Sequence, residues 1–213
     1  RDRNKKDYTN PAMEAEFGII LNRDINPESV SFDYILESVQ SIYPLIEIHN
    51  LVFNGDPPNG AELLANNAIH AGVILGPENK LLNDNEITDL KLVYDNEVVD
   101  KWIDKKWPFD MLGEIEWLVK DKAKTNNILK KNDLILTGAY GFPVPINEKK
   151  LIEVTSSAFG DVSSTFIWFT KGEIMSDIIT IGVVGLGNAG TPILNNLHKA
   201  KKYNLSLIHI SEP

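Results

Sequence analysis

The segment Glu14-Ala15-Glu16-Phe17-Gly18-Ile19-Ile20-Leu21 limits what this chain can become more than any other. It reads as a strand, and alternate residues of a strand share a face. Glu14 and Glu16 therefore point the same way, with Gly18 and Ile20 beyond them, while Phe17, Ile19 and Leu21 occupy the other face. Both faces are largely apolar, as expected of a strand buried on both sides. A third acid, Glu47, stands in a similar setting, Tyr43-Pro44-Leu45-Ile46-Glu47-Ile48. Carboxylates near such strands need a compensating charge, because burying like charges is costly. A divalent cation is one solution, and an all-oxygen donor set suits Mg²⁺ or Mn²⁺. The alternative is a strand whose acidic end simply meets solvent, as paired acids often do.

The rest of the composition narrows the class. The chain has 213 residues and a 43% apolar content, ordinary for one good-sized globular domain or two small ones. A net charge of −9 argues against broad binding to nucleic acid or anionic membranes. Cysteine is absent, which excludes disulfides and thiolate chemistry and is compatible with a reducing, cytoplasmic setting. No apolar run reaches transmembrane length. The first residues, Arg1 to Asp7, are charged, lack an initiator Met and are not followed by a signal-peptide core, so the chain reads as beginning partway through a domain.

Strands are expected at 13–22, 42–49, 71–75, 134–138, 151–156 and 163–170, with a hairpin at 90–99 around Asp95-Asn96. Pro27-Glu28-Ser29 is expected to open a short helix with Ile35, Leu36 and Val39 as its apolar stripe. A breaker-dense loop at 54–60 precedes a helix at about 60–68. Pro108 should start a helix presenting Met111, Leu112, Ile115, Leu118 and Val119. Many strands and few helices point to a β-rich α+β domain. A break falls near Gly172. Beyond it, Ile178 to Val184 reads as a strand followed by Gly185-Leu186-Gly187-Asn188-Ala189-Gly190 and a helix to about Tyr203, the opening β-turn-α of a dinucleotide-binding unit. The expected organisation is a catalytic domain over 1–172 that is incomplete at its N-terminus, a first βα unit over 175–205, and a tail over 206–213.

Residues 10–170 resemble the C-terminal two-thirds of the 2-keto-4-pentenoate hydratase family, with its fumarylacetoacetate-hydrolase-like fold. The likeness is carried by Asn10-Pro11-Ala12-Met13-Glu14-Ala15-Glu16, Leu45-Ile46-Glu47-Ile48, and Asn66-Asn67-Ala68 with Val73-Ile74-Leu75-Gly76. Trp117-Leu118, the run from Leu129 to Gly141, and Val144-Pro145-Ile146 complete it. The resemblance implies a Mg²⁺ or Mn²⁺ ion held by Glu14, Glu16 and Glu47. It also implies a small 2-oxo or 2-hydroxydienoic acid as substrate, and a homo-oligomer. Hydration is the expected reaction, and decarboxylation of a 2-oxo-3-enedioate of the 4-oxalocrotonate type is the rival. Two departures bear on the substrate. The family's Ser-Arg pair is replaced by Leu51-Val52, and its Asp-Asn-Ala-Ser by Asn66-Asn67-Ala68-Ile69. The family's acid–base lysine is expected upstream of these residues, so no catalytic residue is assigned within the chain.

The stretch from Ile181 to Pro192, with Asn195-Asn196-Leu197, resembles the opening of 3-hydroxyisobutyrate-dehydrogenase-like enzymes. That likeness implies NAD(P) at Gly185, Gly187 and Gly190 where the segment belongs to a complete domain, and with it an oxidoreductase alternative. Ser206 to Pro213 is similar to a translated sequencing adapter.

Several other residues have two readings. His49 shares Glu47's face and is expected as a rim or hydrogen-bonded histidine, because hard Mg²⁺ prefers oxygen. His70 follows a helix and could meet its terminal carbonyls or line the pocket. Asn66 and Asn67 are either pocket groups or helix C-terminal residues. Trp102 and Trp107 are expected as core anchors, and Gly138, Gly141 and Pro143 as a tight turn beside the pocket.

Overall fold

An eleven-residue strand over Pro11–Leu21 is paired along both edges and buries one face in the core. In the computed structural model the described residues are 3–4, 7–56, 58–80, 86–148 and 150–167, together with the backbone of 179–183 and 203–207. In chain order the elements are β1 (Arg3–Asn4), β2 (Pro11–Leu21), α1 (Phe32–Ser38), β3 (Val39–Asn50), α2 (Gly60–Ala65), β4 (His70–Leu75), β5 (Ile87–Tyr94) and β6 (Glu97–Lys106). There follow α3 (Phe109–Leu112), α4 (Ile115–Ala123), β7 (Leu134–Leu136), β8 (Val144–Pro145), β9 (Lys150–Ser156), β10 (Gly160–Ile167), β11 (Ile179–Val183) and β12 (Tyr203–Leu207). The chain divides into two compact units, one of Arg1–Asn54 and Ile69–Trp168, the other of Gly55–Ala68 and Phe169–Pro213.

The first unit holds two sheets. One runs β4-β3-β2-β7, with β8 also paired to β2; the other runs β1-β10-β9-β5-β6. Met13, Ala15, Phe17 and Ile19 on β2 lie opposite Ile48, Ile46, Pro44 and Ile42 on β3. The apolar members of these pairs belong to one buried cluster with Leu90, Leu92, Trp102, Ile152, Val154, Phe159 and Phe166 of the second sheet and its loops. Phe17 is 1% exposed and meets Trp102 and Phe159 edge-on, with ring centroids 5.4 and 5.0 Å apart. Burying a side chain of this size contributes about 2–3 kcal/mol. Trp102 and Trp107 are both buried, as core anchors must be. The β5–β6 hairpin turns at Asp95 and Asn96, whose φ values of 46° and 71° give the left-handed turn that two-residue hairpins prefer.

Several helices differ from the sequence expectation. Pro27–Ser29 makes only a 3₁₀ turn. The helix itself begins after Ser31, whose hydroxyl accepts the Tyr34 N–H, so the cap and not the proline starts it. Val39 belongs to β3 rather than to the helix stripe. The expected helix after Pro108 is broken into α3 and α4, although Met111, Leu112, Ile115 and Val119 are all buried as their spacing required.

In the second unit, α2 carries a reciprocal cap. The Asn59 side chain accepts from Ala61 and Glu62 N–H groups, and Glu62 accepts from the Asn59 N–H at 2.8 Å. This helix ends at Ala65, short of the expected 68, and residues 67–69 follow at positive φ. β11 and β12 pair in parallel. Gly185, Gly187 and Gly190 lie outside the described residues. Among the described residues, no helix is long and apolar enough to cross a membrane.

Candidate metal centre

The face of β2 opposite the core carries the acids. Antiparallel pairing sets Glu14 directly across from Glu47, Ala12 across from His49, and Glu16 across from Leu45. Residues directly opposite share a face, so Glu14, Glu16, Glu47 and His49 converge on one patch. Glu16 is 4% exposed, Glu47 7% and His49 5%. Two carboxylates about 5 Å apart, at an effective dielectric constant of about 20, repel by about 3 kcal/mol. The pairing therefore demands positive charge or protons nearby.

Two histidines and one proton meet that demand. His49 Nε2 lies 2.7 Å from Glu14 Oε2 and 3.5 Å from Glu47 Oε2. His70 Nδ1 lies 2.6 Å from the other oxygen of Glu47, Oε1. Burial disfavours a charged His49, but its hydrogen bonds to Glu14 and Glu47 and their charges outweigh that and hold the imidazole pKa up to about 10. Glu16 moves the opposite way for an acid. Burial, a hydrogen bond with Glu47 and the Glu47 charge push it up to about 9, against the Gly138 N–H, which donates to Glu16 Oε2 at 3.1 Å. Glu47 is held well below the usual carboxylate range: burial works against this and is overcome by hydrogen bonds from His49, His70 and Glu16. At neutral pH Glu16 is thus the protonated partner, donating to an ionised Glu47.

Backbone irregularities bring two of these groups in. Along one edge of β2, β7 pairs with residues 18–20 and β8 with residues 12–13, leaving the stretch beside the acids to the intervening loop. Gly138 turns in that loop at φ 90°, a conformation natural to glycine, and this aims its N–H at Glu16. On the other side, β4 pairs Gly72 with Ile48 but His70 with His49, so Ala71 is bulged out. Regular pairing would have put Ala71 opposite His49 and turned His70 to the core side. The bulge re-aims it onto Glu47. Gly72 in a strand, at φ 147°, is the sequence signal that could have announced it.

Glu14, Glu47 and His49 each offer a donor atom, all within 4.8 Å of one another, and could hold a metal ion. Glu16 reaches the same patch through its hydrogen bond to Glu47. This donor set suits a divalent cation, since a cation would replace the protons that now neutralise the acids. His49, expected as a rim or hydrogen-bonded residue, is hydrogen-bonded to Glu14 but buried. His70, for which a helix-end contact and a place beside the pocket were both open, joins the acidic patch through Glu47. Asn66 caps the end of α2, with its N–H directed at Glu62, Leu63 and Leu64 carbonyls, and Asn67 is exposed at φ 51°. A cavity of about 420 Å³ opens where β2 begins, lined by Ala12, Leu51, Ile69, Pro143, Pro145 and Ile146 and bordered by Asn10 and Asn147. Ala12 shares the face of Glu14, and among the described residues the lining carries no charged side chain.

No protein-family model matches the chain. It is 25% identical over 158 residues to 2-keto-4-pentenoate hydratase 2 of Dechloromonas aromatica, covering 73% of this chain and 60% of that protein. The chain thus spans about 60% of the length of the curated relatives it matches. Among solved structures it is similar to 4-oxalocrotonate decarboxylase from Pseudomonas putida G7, complexed with magnesium and adipate. That likeness has a TM-score of 0.69 at 17% identity, over 79% of this chain and 64% of that one. It is also similar to fumarylpyruvate hydrolase from Pseudomonas aeruginosa in complex with Mn²⁺ and pyruvate, with a TM-score of 0.56 at 11% identity, over 76% and 68% of the two chains. The chain is therefore similar in sequence to 2-keto-4-pentenoate hydratases and shares the fumarylacetoacetate-hydrolase-like fold of these solved structures.

Proposed function

We propose that this chain carries the metal site of a divalent-metal-dependent lyase that adds water to a small 2-hydroxydienoic acid of the 2-keto-4-pentenoate type. The observation that carries the reading is the direct pairing of Glu14 with Glu47, with Glu16 on the same buried face. Such a face is stable only when something positive or protic sits on it. Glu14, Glu16 and Glu47 would hold the cation, Mg²⁺ or Mn²⁺. When bound, it supplies Lewis-acid stabilisation of negative charge on the oxygens of a 2-oxo acid.

The chain's own groups do the positioning. His70 grips Glu47 Oε1 and leaves Oε2 turned toward the patch. Gly138 fixes the orientation of Glu16. The cavity beside Ala12 offers an apolar wall for the carbon chain of the acid. Decarboxylation of a 2-oxo-3-enedioate is the second reading, favoured by the fold shared with 4-oxalocrotonate decarboxylase.

Calorimetric titration of the chain with Mg²⁺ and Mn²⁺, alone and with oxalate or pyruvate, tests the reading. Binding should be strengthened by the oxo acid and lost in Glu47→Gln. A folded chain that binds neither cation, with or without the acid, refutes it.

A further inference from the structure

Resting on the cation site proposed above, we infer that His49 is itself a ligand, so that this chain builds a mixed nitrogen–oxygen site and prefers Mn²⁺ or Co²⁺ to Mg²⁺. His49 Nε2 and one oxygen from each of Glu14 and Glu47 are mutually within 4.8 Å, which places an imidazole nitrogen inside the cluster rather than behind it. The ring is 5% exposed and its place on the site face is set by strand pairing against Ala12. Nε2 is the ring nitrogen that faces the acids, 2.7 Å from Glu14 Oε2 and 3.5 Å from Glu47 Oε2.

The second histidine plays a different part. His70 takes Oε1 of Glu47 from the flank, leaving Oε2 on the side where His49 lies. An outer partner that orients a ligating carboxylate in this way is a regular feature of metal sites. Carboxylate-only sites suit Mg²⁺, whereas an imidazole ligand favours the later divalent metals. The expected order of affinity here is Co²⁺ over Mn²⁺ over Mg²⁺.

Electron paramagnetic resonance tests this on the full chain. Mn²⁺ binding is followed by loss of the free-ion signal, Mg²⁺ affinity by competition, and the ligands of bound Mn²⁺ by pulsed detection of nitrogen couplings. The expected result is one imidazole ¹⁴N coupling that changes to the ¹⁵N pattern when the protein is made with ¹⁵N-histidine. His49→Gln should abolish the coupling and weaken Mn²⁺ binding by about tenfold or more, while Mg²⁺ affinity changes by less than about threefold. His70→Gln should keep the coupling. Bound Mn²⁺ without nitrogen coupling, or a coupling that survives in His49→Gln, overturns the inference and leaves an oxygen-only site. Should His49→Gln fail to fold, His70→Gln decides the matter, because loss of the coupling there with Mn²⁺ still bound assigns the nitrogen to His70 and overturns the inference. A folded chain that binds no divalent cation removes the lyase reading as well.

Discussion

Replacing Glu16 by glutamine should stabilise the metal-free protein, and increasingly so as pH rises. Glu16 is 4% exposed, and its pKa is lifted from 4.5 to about 9 by burial and by Glu47. The unfolded chain releases this proton near pH 4.5, while the folded protein holds it until about pH 9. A group with a raised folded pKa contributes stability that is complete below its unfolded pKa and is lost as pH climbs toward the folded one. Between these limits each pH unit costs the folded state about 1.4 kcal/mol. Glutamine cannot ionise, yet it keeps both partners: its carbonyl accepts from Gly138 and its amide donates to Glu47. The variant therefore lacks this slope while the rest of the cluster titrates in both proteins. From pH 6 to pH 8 the stability gap in favour of Glu16→Gln should widen by up to about 3 kcal/mol. Urea denaturation with a chelator present, at pH 6, 7 and 8, measures it. A gap that stays constant, or a variant less stable by the same amount at every pH, would mean that Glu16 is ionised and that the protonated pairing with Glu47 is wrong.

Metal binding should release protons, because His49 and Glu16 both hold them at pH 7.5 in the free protein. Calorimetry in buffers of different ionisation enthalpy should count about one to two protons per ion and find tighter binding at higher pH; a count of zero contradicts the charge assignment. Gly138→Ala forces a side chain into φ 90° and should cost about 1–3 kcal/mol in urea denaturation. It should also push the Glu16 pKa further up by misdirecting the Gly138 N–H, which the pH dependence of stability would register. Phe17→Ala should cost about 3–5 kcal/mol through the cavity it leaves between Trp102 and Phe159. A loss under about 1 kcal/mol would mean that the two sheets do not close over it.

The acidic patch illustrates what can be reached from chain order. Glu14 and Glu16 announce a shared face by spacing alone, and His49 follows Glu47 by the same rule. The apolar alternation of β2 and β3 is equally local, and Met13, Phe17, Ile19, Ile42, Ile46 and Ile48 all lie in the core. The start of α1 is hidden from a local reading because Pro27 is a strong signal, while the Ser31 cap that begins the helix is a weaker one. The break between α3 and α4 escaped the periodicity, since both pieces keep the same buried stripe.

Sequence by itself determined the strand content, the core face and the identity of the acids, because strand alternation is a property of neighbouring residues. It also carried the family likeness. Tertiary structure alone decided that Glu14 faces Glu47, because register is set by how two strands slide against each other. It alone brought the Gly138 N–H to Glu16, 122 residues away, through a gap between two edge partners of β2. The bulge at Ala71 likewise turned His70 from the core onto Glu47, since one unpaired residue inverts every side chain beyond it. Charge balance in the patch depends on those three placements, and so it could be read only once the chain had folded.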